Sequence, residues 1–251
     1  MTSSAPALVV GSNASDQGYS AVEHTVPNPQ DADRAGEIMG TYGKDVLLGD
    51  VGGVNSNFTP GKNYNIALIL DRSGSMADAS GTPGLSRLAL AKDALTSLAN
   101  QLAGHSGVVN VRLIPFGETA SNGYTINGLN STNVVTLIAA INGLTASGGT
   151  NYESAFKATV NWFNDQVNGG KDAVHGFEQL TFFLTDGNPT LYLNGSGNTA
   201  GSGSNTGYNE LSQSVDAVQA LVAGTGSDAV QMHAIGIGDG VSADFLKFFD
   251  N

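Results

Sequence analysis

From Lys62 onward, short wholly apolar runs alternate with stretches in which apolar side chains recur every three or four positions. The run Ile66–Leu70 has no polar break, which predicts a strand covered on both faces. Leu88, Ala91, Leu95, Leu98 and Leu102 then follow helical spacing and predict an amphipathic helix ending near Gly104. VVNVRLIPFG (108–117) reads as a second strand, with TASNGYTIN (119–127) as its hairpin partner. Val134, Leu137, Ile138 and Ile141 predict a short helix, and Tyr152, Phe156, Val160, Phe163 and Val167 a longer one. QLTFFLTDG (179–187) is a further buried strand that ends in an aspartate. A stripe at Leu211, Val215, Val218 and Val222, a strand at 228–238 and a helix beginning at Ala243 complete the series. Phe182, Phe183 and Trp162 fall on these elements and need only a core to explain them.

Strand and helix in alternation predict an α/β fold of the Rossmann-like, doubly wound kind. Its sheet is mostly parallel, with one antiparallel edge strand and helices on both faces. Residues 1–61 lack sustained periodicity and read as an extended lead-in with a short strand near 45–54; residues 62–251 form the domain. The stretch NGSGNTAGSGSNTG (194–207) reads as a mobile loop at the carboxyl edge of the sheet.

Charge narrows the partners. The chain of 251 residues carries 22 acidic and 10 basic side chains, a net charge of −12, and no run of Lys or Arg. Nucleic acid and anionic membrane both need basic patches, so neither is expected as a partner. The absence of cysteine excludes a disulfide framework, a thiolate metal site and a cysteine nucleophile. No stretch has the length of a membrane span, and any export signal is expected to lie outside this chain.

Candidate chemistry gathers where strands end. In NIALILDRSGSM (65–76) a buried strand runs into a carboxylate and two hydroxyls, Asp71, Ser73 and Ser75. GGT (148–150) offers Thr150 before the long helix, and TDGNP (185–189) offers Asp186 at a second strand end. In a parallel sheet, ligands collect at the carboxyl ends of the strands. If the two strands are neighbours, two carboxylates and three hydroxyls converge. Such oxygen-only ligation suits a hard divalent cation, Mg²⁺ or Ca²⁺. Two carboxylates only just balance that ion, which stays electrophilic enough to accept an acidic group from a partner.

DRSGS, GGT and TDG, in this order and on these elements, resemble the von Willebrand factor A domain with its metal-ion-dependent adhesion site. The resemblance covers 62–251 and implies one divalent cation held by Asp71, Ser73, Ser75, Thr150 and Asp186. DVLLGDVGGV (45–54) followed by GKNYNIALILDRSGSM is similar to the approach to such domains in bacterial RTX adhesins. That implies a secreted module within a larger chain, monomeric, at the bacterial surface in calcium-rich surroundings. It also implies a protein or other cell-surface ligand offering a carboxylate, as in adhesion and biofilm formation. The family pattern continues past Ala243 into one more strand and a final helix. The expectation is that these are missing here or that the lead-in around Val46–Val54 fills the vacant sheet edge.

Other candidates are weaker. Asp45, Asp50, Asp78 and Glu118 are carboxylates available for secondary calcium sites, with surface solvation the plainer reading of each. Tyr192 and Tyr208 flank the glycine-serine loop and are candidate ligand contacts. DADRAGEIMGTY (31–42) begins like an EF-hand loop but lacks its fifth and closing ligands. Ser154 and Lys157 match the SxxK pattern without a KTG partner, and His24, His105, His175 and His233 lack paired spacing. No nucleophile and base pair stands at the strand ends, so a non-enzymatic binding module is expected. The alternatives are a calcium-stiffened spacer of an adhesin and an A-domain subunit of an intracellular regulatory complex.

Overall fold

The computed structural model describes residues 8–10, 46–48, 58–121, 123–168, 176–224, 229–238, 240–241 and 243–250. In chain order its elements are β1 (Leu8–Val10), β2 (Val46–Leu48), β3 (Asn63–Asp71), α1 (Arg87–Ala103), β4 (Val109–Phe116), β5 (Tyr124–Ile126), α2 (Val134–Asn142), α3 (Tyr152–Asn168), β6 (Phe177–Thr185), β7 (Tyr192–Leu193), β8 (Thr199–Ala200), α4 (Tyr208–Ala223), β9 (Val230–Gly236) and α5 (Ala243–Leu246). A 3₁₀ turn at Gly74–Ala77 links β3 to the segment before α1.

The main sheet has the order β5-β4-β3-β6-β9. Only the β4–β5 pair is antiparallel; β3 lies parallel to both β4 and β6, and β6 parallel to β9. A mostly parallel sheet with one antiparallel edge strand is the architecture expected from the alternating pattern.

Successive side chains of a strand point to opposite faces, and β3 uses both. Ile66, Leu68 and Leu70 join Leu88, Leu95 and Leu98 of α1 and Leu137 and Ile141 of α2 in one core. Ala67 and Ile69 join Tyr152, Phe156 and Phe163 of α3 and Val218 and Leu221 of α4 in the other. Each fully buried aliphatic side chain contributes about 1.5–3 kcal/mol relative to exposure, so the two layers together clamp β3 from both sides. Helix α1 is capped by Ser86, whose hydroxyl accepts the Ala89 amide at 3.1 Å. The foot of the sheet is polar: Asn110 donates to the Asn65 side-chain oxygen at 2.9 Å and accepts from the Gly128 amide at 2.9 Å.

Two expectations change. The short strand in the lead-in exists, but β2 pairs in parallel with β1 in a separate two-stranded sheet and does not fill an edge of the main one. The glycine-serine stretch holds an antiparallel pair, β7 with β8, closed by hydrogen bonds between Asn194 and Asn198 and between Gly197 and Asn194. Its asparagine side chains and glycine amides supply the turn bonds that the composition obscured. Among the described residues, no helix is long and apolar enough to cross a membrane.

Candidate functional site

Register brings the two aspartate-bearing strand ends together. Leu70 pairs with Leu184, so the next residues, Asp71 and Thr185, leave the sheet side by side. The chain after Asp71 is then sewn to the glycine loop: Ser147 donates its amide to the Arg72 carbonyl at 2.7 Å, and Gly74 donates to the Gly148 carbonyl at 2.8 Å. Gly148 has φ +80°, a conformation that side chains rarely adopt, which explains the glycine at this turn.

Four of the five expected oxygens form one connected group. Asp71 is wholly buried and accepts the Ser73 amide on Oδ1 at 2.8 Å. Its Oδ2 accepts the Thr185 hydroxyl at 2.7 Å. The Ser73 and Ser75 hydroxyls are 3.2 Å apart, and Ser75 donates to Asp186 Oδ1 at 2.9 Å. Ser75 is exposed and marks the opening to solvent. Thr150 is buried, but its backbone is what ties it here: its amide donates to the Thr190 hydroxyl, and its carbonyl accepts the Thr190 and Leu191 amides. Among the described residues its hydroxyl makes no hydrogen bond to the other four.

An aromatic floor supports this group from the α3 face. Tyr152 meets Phe183 edge-on with ring centres 4.7 Å apart, and Phe116, Phe156 and Phe249 pack around the pair. The Tyr152 hydroxyl donates to the Gly187 carbonyl and lies 3.0 Å from the Thr185 hydroxyl. Burial, reinforced by the Asp71 charge, holds the Tyr152 phenol well above its ordinary pKa.

Electrostatics separate the two carboxylates. Asp186 is buried and accepts Arg87 on Oδ2 at 2.9 Å. Among the described residues no ion pair reaches Asp71. Burial pushes its carboxyl up to about 7, the charge of Asp186 adds to the rise, and the bonds from Ser73 and Thr185 oppose it. A buried carboxylate without a counter-ion, ringed by hydroxyls, is a donor set that fits a hard divalent cation. Among the described residues no group of three or more His, Cys, Asp or Glu side chains is suited to a metal, so the described donor set is two carboxylates with hydroxyls.

The remaining candidates fall elsewhere. Asp45 and Asp50 lie outside the described residues, as does the stretch 31–42. Asp78 is exposed and faces Arg87 at 3.9 Å. The Glu118 side chain is also exposed and lies against Gly148, beside the site but not in the bonded group. Tyr208 stands 83% exposed at the start of α4, and Tyr192 is half-buried with its hydroxyl 3.5 Å from the Asn209 amide nitrogen. The SxxK residues are structural: Ser154 accepts the Ala120 amide at 2.8 Å, and Lys157 pairs with Glu153 at 2.6 Å.

Three side chains that brace the candidate site or the hairpin beside it escaped the sequence reading. Thr185 stands in the quoted TDG motif and positions Asp71, but strand alternation alone gave its hydroxyl no partner. Arg87 is 99 residues from Asp186 and carries no local mark of that contact. Glu153 sits in an amphipathic helix yet is buried, and its Oε2 accepts the Leu193 amide at 2.6 Å. That bond ties the β7–β8 hairpin to α3, while Glu210 accepts the Gly207 amide at 3.0 Å and caps the start of α4.

Residues 66–188 match the family model of the von Willebrand factor type A domain. The fold is also that of solved structures. A von Willebrand factor type A protein from Catenulispora acidiphila aligns with TM-score 0.51 at 16% identity, over 76% of this chain and 36% of its own. The PilB minor pilin from Streptococcus sanguinis aligns with TM-score 0.50 at 20% identity, over 72% of this chain and 51% of its own. The pilus adhesin SpaC from Lactobacillus rhamnosus GG aligns with TM-score 0.50 at 21% identity, over 76% of this chain and 28% of its own. The chain thus spans about half or less of each of these proteins. No curated protein matches it.

Proposed function

We propose that this von Willebrand factor A-type fold is a binding module, not an enzyme, and that it docks an acidic group of a surface ligand through a divalent cation. The observation that carries the reading is the buried Asp71, joined through Ser73 and Ser75 to Asp186 at the ends of two neighbouring strands. Asp71, Ser73, Ser75, Thr150 and Asp186 would hold the ion, either Mg²⁺ or Ca²⁺. When bound, the ion supplies a Lewis-acidic point that attracts a carboxylate.

The chain's own residues prepare that point. Thr185 and the Ser73 amide fix both oxygens of Asp71, so little reorganisation is needed on binding. The zipped 72–74 and 147–148 segments hold the serine loop, and the aromatic floor excludes water from below. The hairpin, Tyr192 and Tyr208 stand on the same edge of the sheet and would set ligand specificity.

Adhesion at a cell surface is the setting we propose. Support comes from the pilin and the pilus adhesin among the proteins that share the fold, and from a composition rich in acid and free of cysteine. Membership of a secreted bacterial RTX adhesin rests on the resemblance of 45–76 alone. Further Ca²⁺ sites belong to the same proposal, with the described carboxylates Glu118, against Gly148, and Asp78, near Arg87, as candidates.

Calorimetry with Mg²⁺ and Ca²⁺ separately, on this chain and on Asp71→Ala, tests the reading. Loss of one binding event with the fold retained supports the docking site. Identical binding by both proteins overturns it and leaves the calcium-stiffened spacer as the better account.

A further inference from the structure

Arg87 is placed against local electrostatics. It is the first residue of α1, where the helix dipole disfavours a cation, and no acidic side chain shares that first turn. Its side chain is nevertheless largely buried and turned away from solvent. One guanidinium nitrogen lies 2.9 Å from Asp186 Oδ2 and 3.9 Å from the exposed Asp78.

The chain leaves room for this guanidinium. A Cβ at Gly238 would stand 2.7 Å from Arg87 Nε and 3.3 Å from Cδ and Cζ. A Cβ at Gly240 would come within 3.7 Å of the terminal nitrogen. Two glycines just past β9 therefore form a slot that any side chain at Gly238 would close. Together, the ion pair and the slot make Arg87 a fitted part of the site.

We infer that Arg87 is a positioning and tuning residue: it is the resident counter-ion of Asp186, lowering the site's affinity for a divalent cation while raising the positive charge left for an anionic ligand. This rests on the cation reading above. Once an ion displaces the Asp71 proton, Asp71 and Asp186 carry −2, and Arg87, which Asp186 shares with the exposed Asp78 at 3.9 Å, offsets up to one unit of that charge. A divalent ion then leaves up to +1, whereas without Arg87 it would leave an electrically neutral centre. The guanidinium thus weakens the hold on the ion and strengthens the attraction for the ligand's carboxylate. It also keeps the buried Asp186 paired whenever no ion is bound, which a purely ion-filled site cannot do.

The test is titration of the chain, Arg87→Gln, Arg87→Lys and Asp71→Asn with Mg²⁺ alone and Ca²⁺ alone, each with a melting curve in chelator. Arg87→Gln is expected to bind the cation more tightly, by about tenfold or more, the direction set by removal of a neighbouring positive charge. It should also melt earlier in chelator and gain more from saturating cation than the unchanged chain. Arg87→Lys keeps the charge and is expected to bind within about threefold of the unchanged chain, so it carries the test if Arg87→Gln fails to fold. A merely structural Arg87 predicts the opposite sign, weaker cation binding in both variants, and that result overturns the inference. Equal affinity in Arg87→Gln and the unchanged chain overturns it too. If Asp71→Asn binds as the unchanged chain does, the site itself is wrong; that failure is separate from one in which Asp71→Asn loses binding and Arg87→Gln gains nothing.

Discussion

Thr185 donates its hydroxyl to Asp71 across 2.7 Å, from the end of one interior strand to the end of its neighbour. The bond fixes the carboxylate and links the two halves of the site. Thr185→Val keeps the shape and removes the donor. In chelator at pH 8, where Asp71 is charged, the variant is expected to lose about 1.5–3 kcal/mol of stability. At pH 5 the bond is between neutral groups and the loss should shrink to about 1 kcal/mol. Denaturant unfolding at the two pH values measures the difference.

Asp71 makes stability depend on pH in a direction unusual for a carboxylate. Its folded pKa of about 7 lies above the ordinary carboxylate value, so the fold prefers the protonated form. The stabilisation is complete below the unfolded pKa, near 4, and is lost as pH rises through about 7. Metal-free protein should therefore lose melting temperature relative to Asp71→Asn between pH 5 and pH 8. Cation affinity should run the other way, rising about tenfold per unit below pH 7 and levelling above it, because the ion displaces a proton. A pH-independent gap between the two melting curves would remove the assignment.

Gly240 is crowded by the site's backbone: a Cβ there would stand 2.2 Å from the Asp186 carbonyl oxygen. Gly240→Ala forces the Asp186 backbone and the 240 segment apart although it changes no ligand. Cation affinity is expected to fall roughly tenfold to a hundredfold, the range seen when ligand-orienting contacts are lost. Calorimetry on a variant shown folded by circular dichroism checks it.

Glu153 fastens the hairpin rather than the ion. Glu153→Gln removes the charge from the bond to the Leu193 amide and from the pair with Lys157. The hairpin is expected to loosen by about 1–2 kcal/mol, which speeds hydrogen exchange at Leu193 about five- to thirtyfold. Cation affinity should stay within about twofold in this variant, a split that calorimetry beside exchange resolves.

Periodicity made the sheet legible because buried parallel strands are apolar throughout. Ile66–Leu70 falls inside the observed Asn63–Asp71, and the oxygens at its end were visible because they break that run abruptly. Asp71, Ser73, Ser75 and Asp186 could be placed together because adjacent strand ends bring them there. Contacts set by side-chain reach were not legible. Arg87 reaches Asp186 across the top of the sheet, and nothing within a few residues of either one signals it. Glu153 hid for another reason: a charge on a helix reads as solvent-facing, and only the hairpin that covers it turns it inward. That hairpin was itself masked by glycine and serine, whose turn bonds depend on asparagine side chains and backbone amides.

The sheet order has a thermal consequence for the site. Strands β3 and β6 both have partners on either side, so neither can peel away while the domain stands. The part of the site mounted on their ends, Asp71 with Thr185, has no melting transition of its own. On heating, this anchored part should lose its geometry only in the cooperative step that unfolds the sheet.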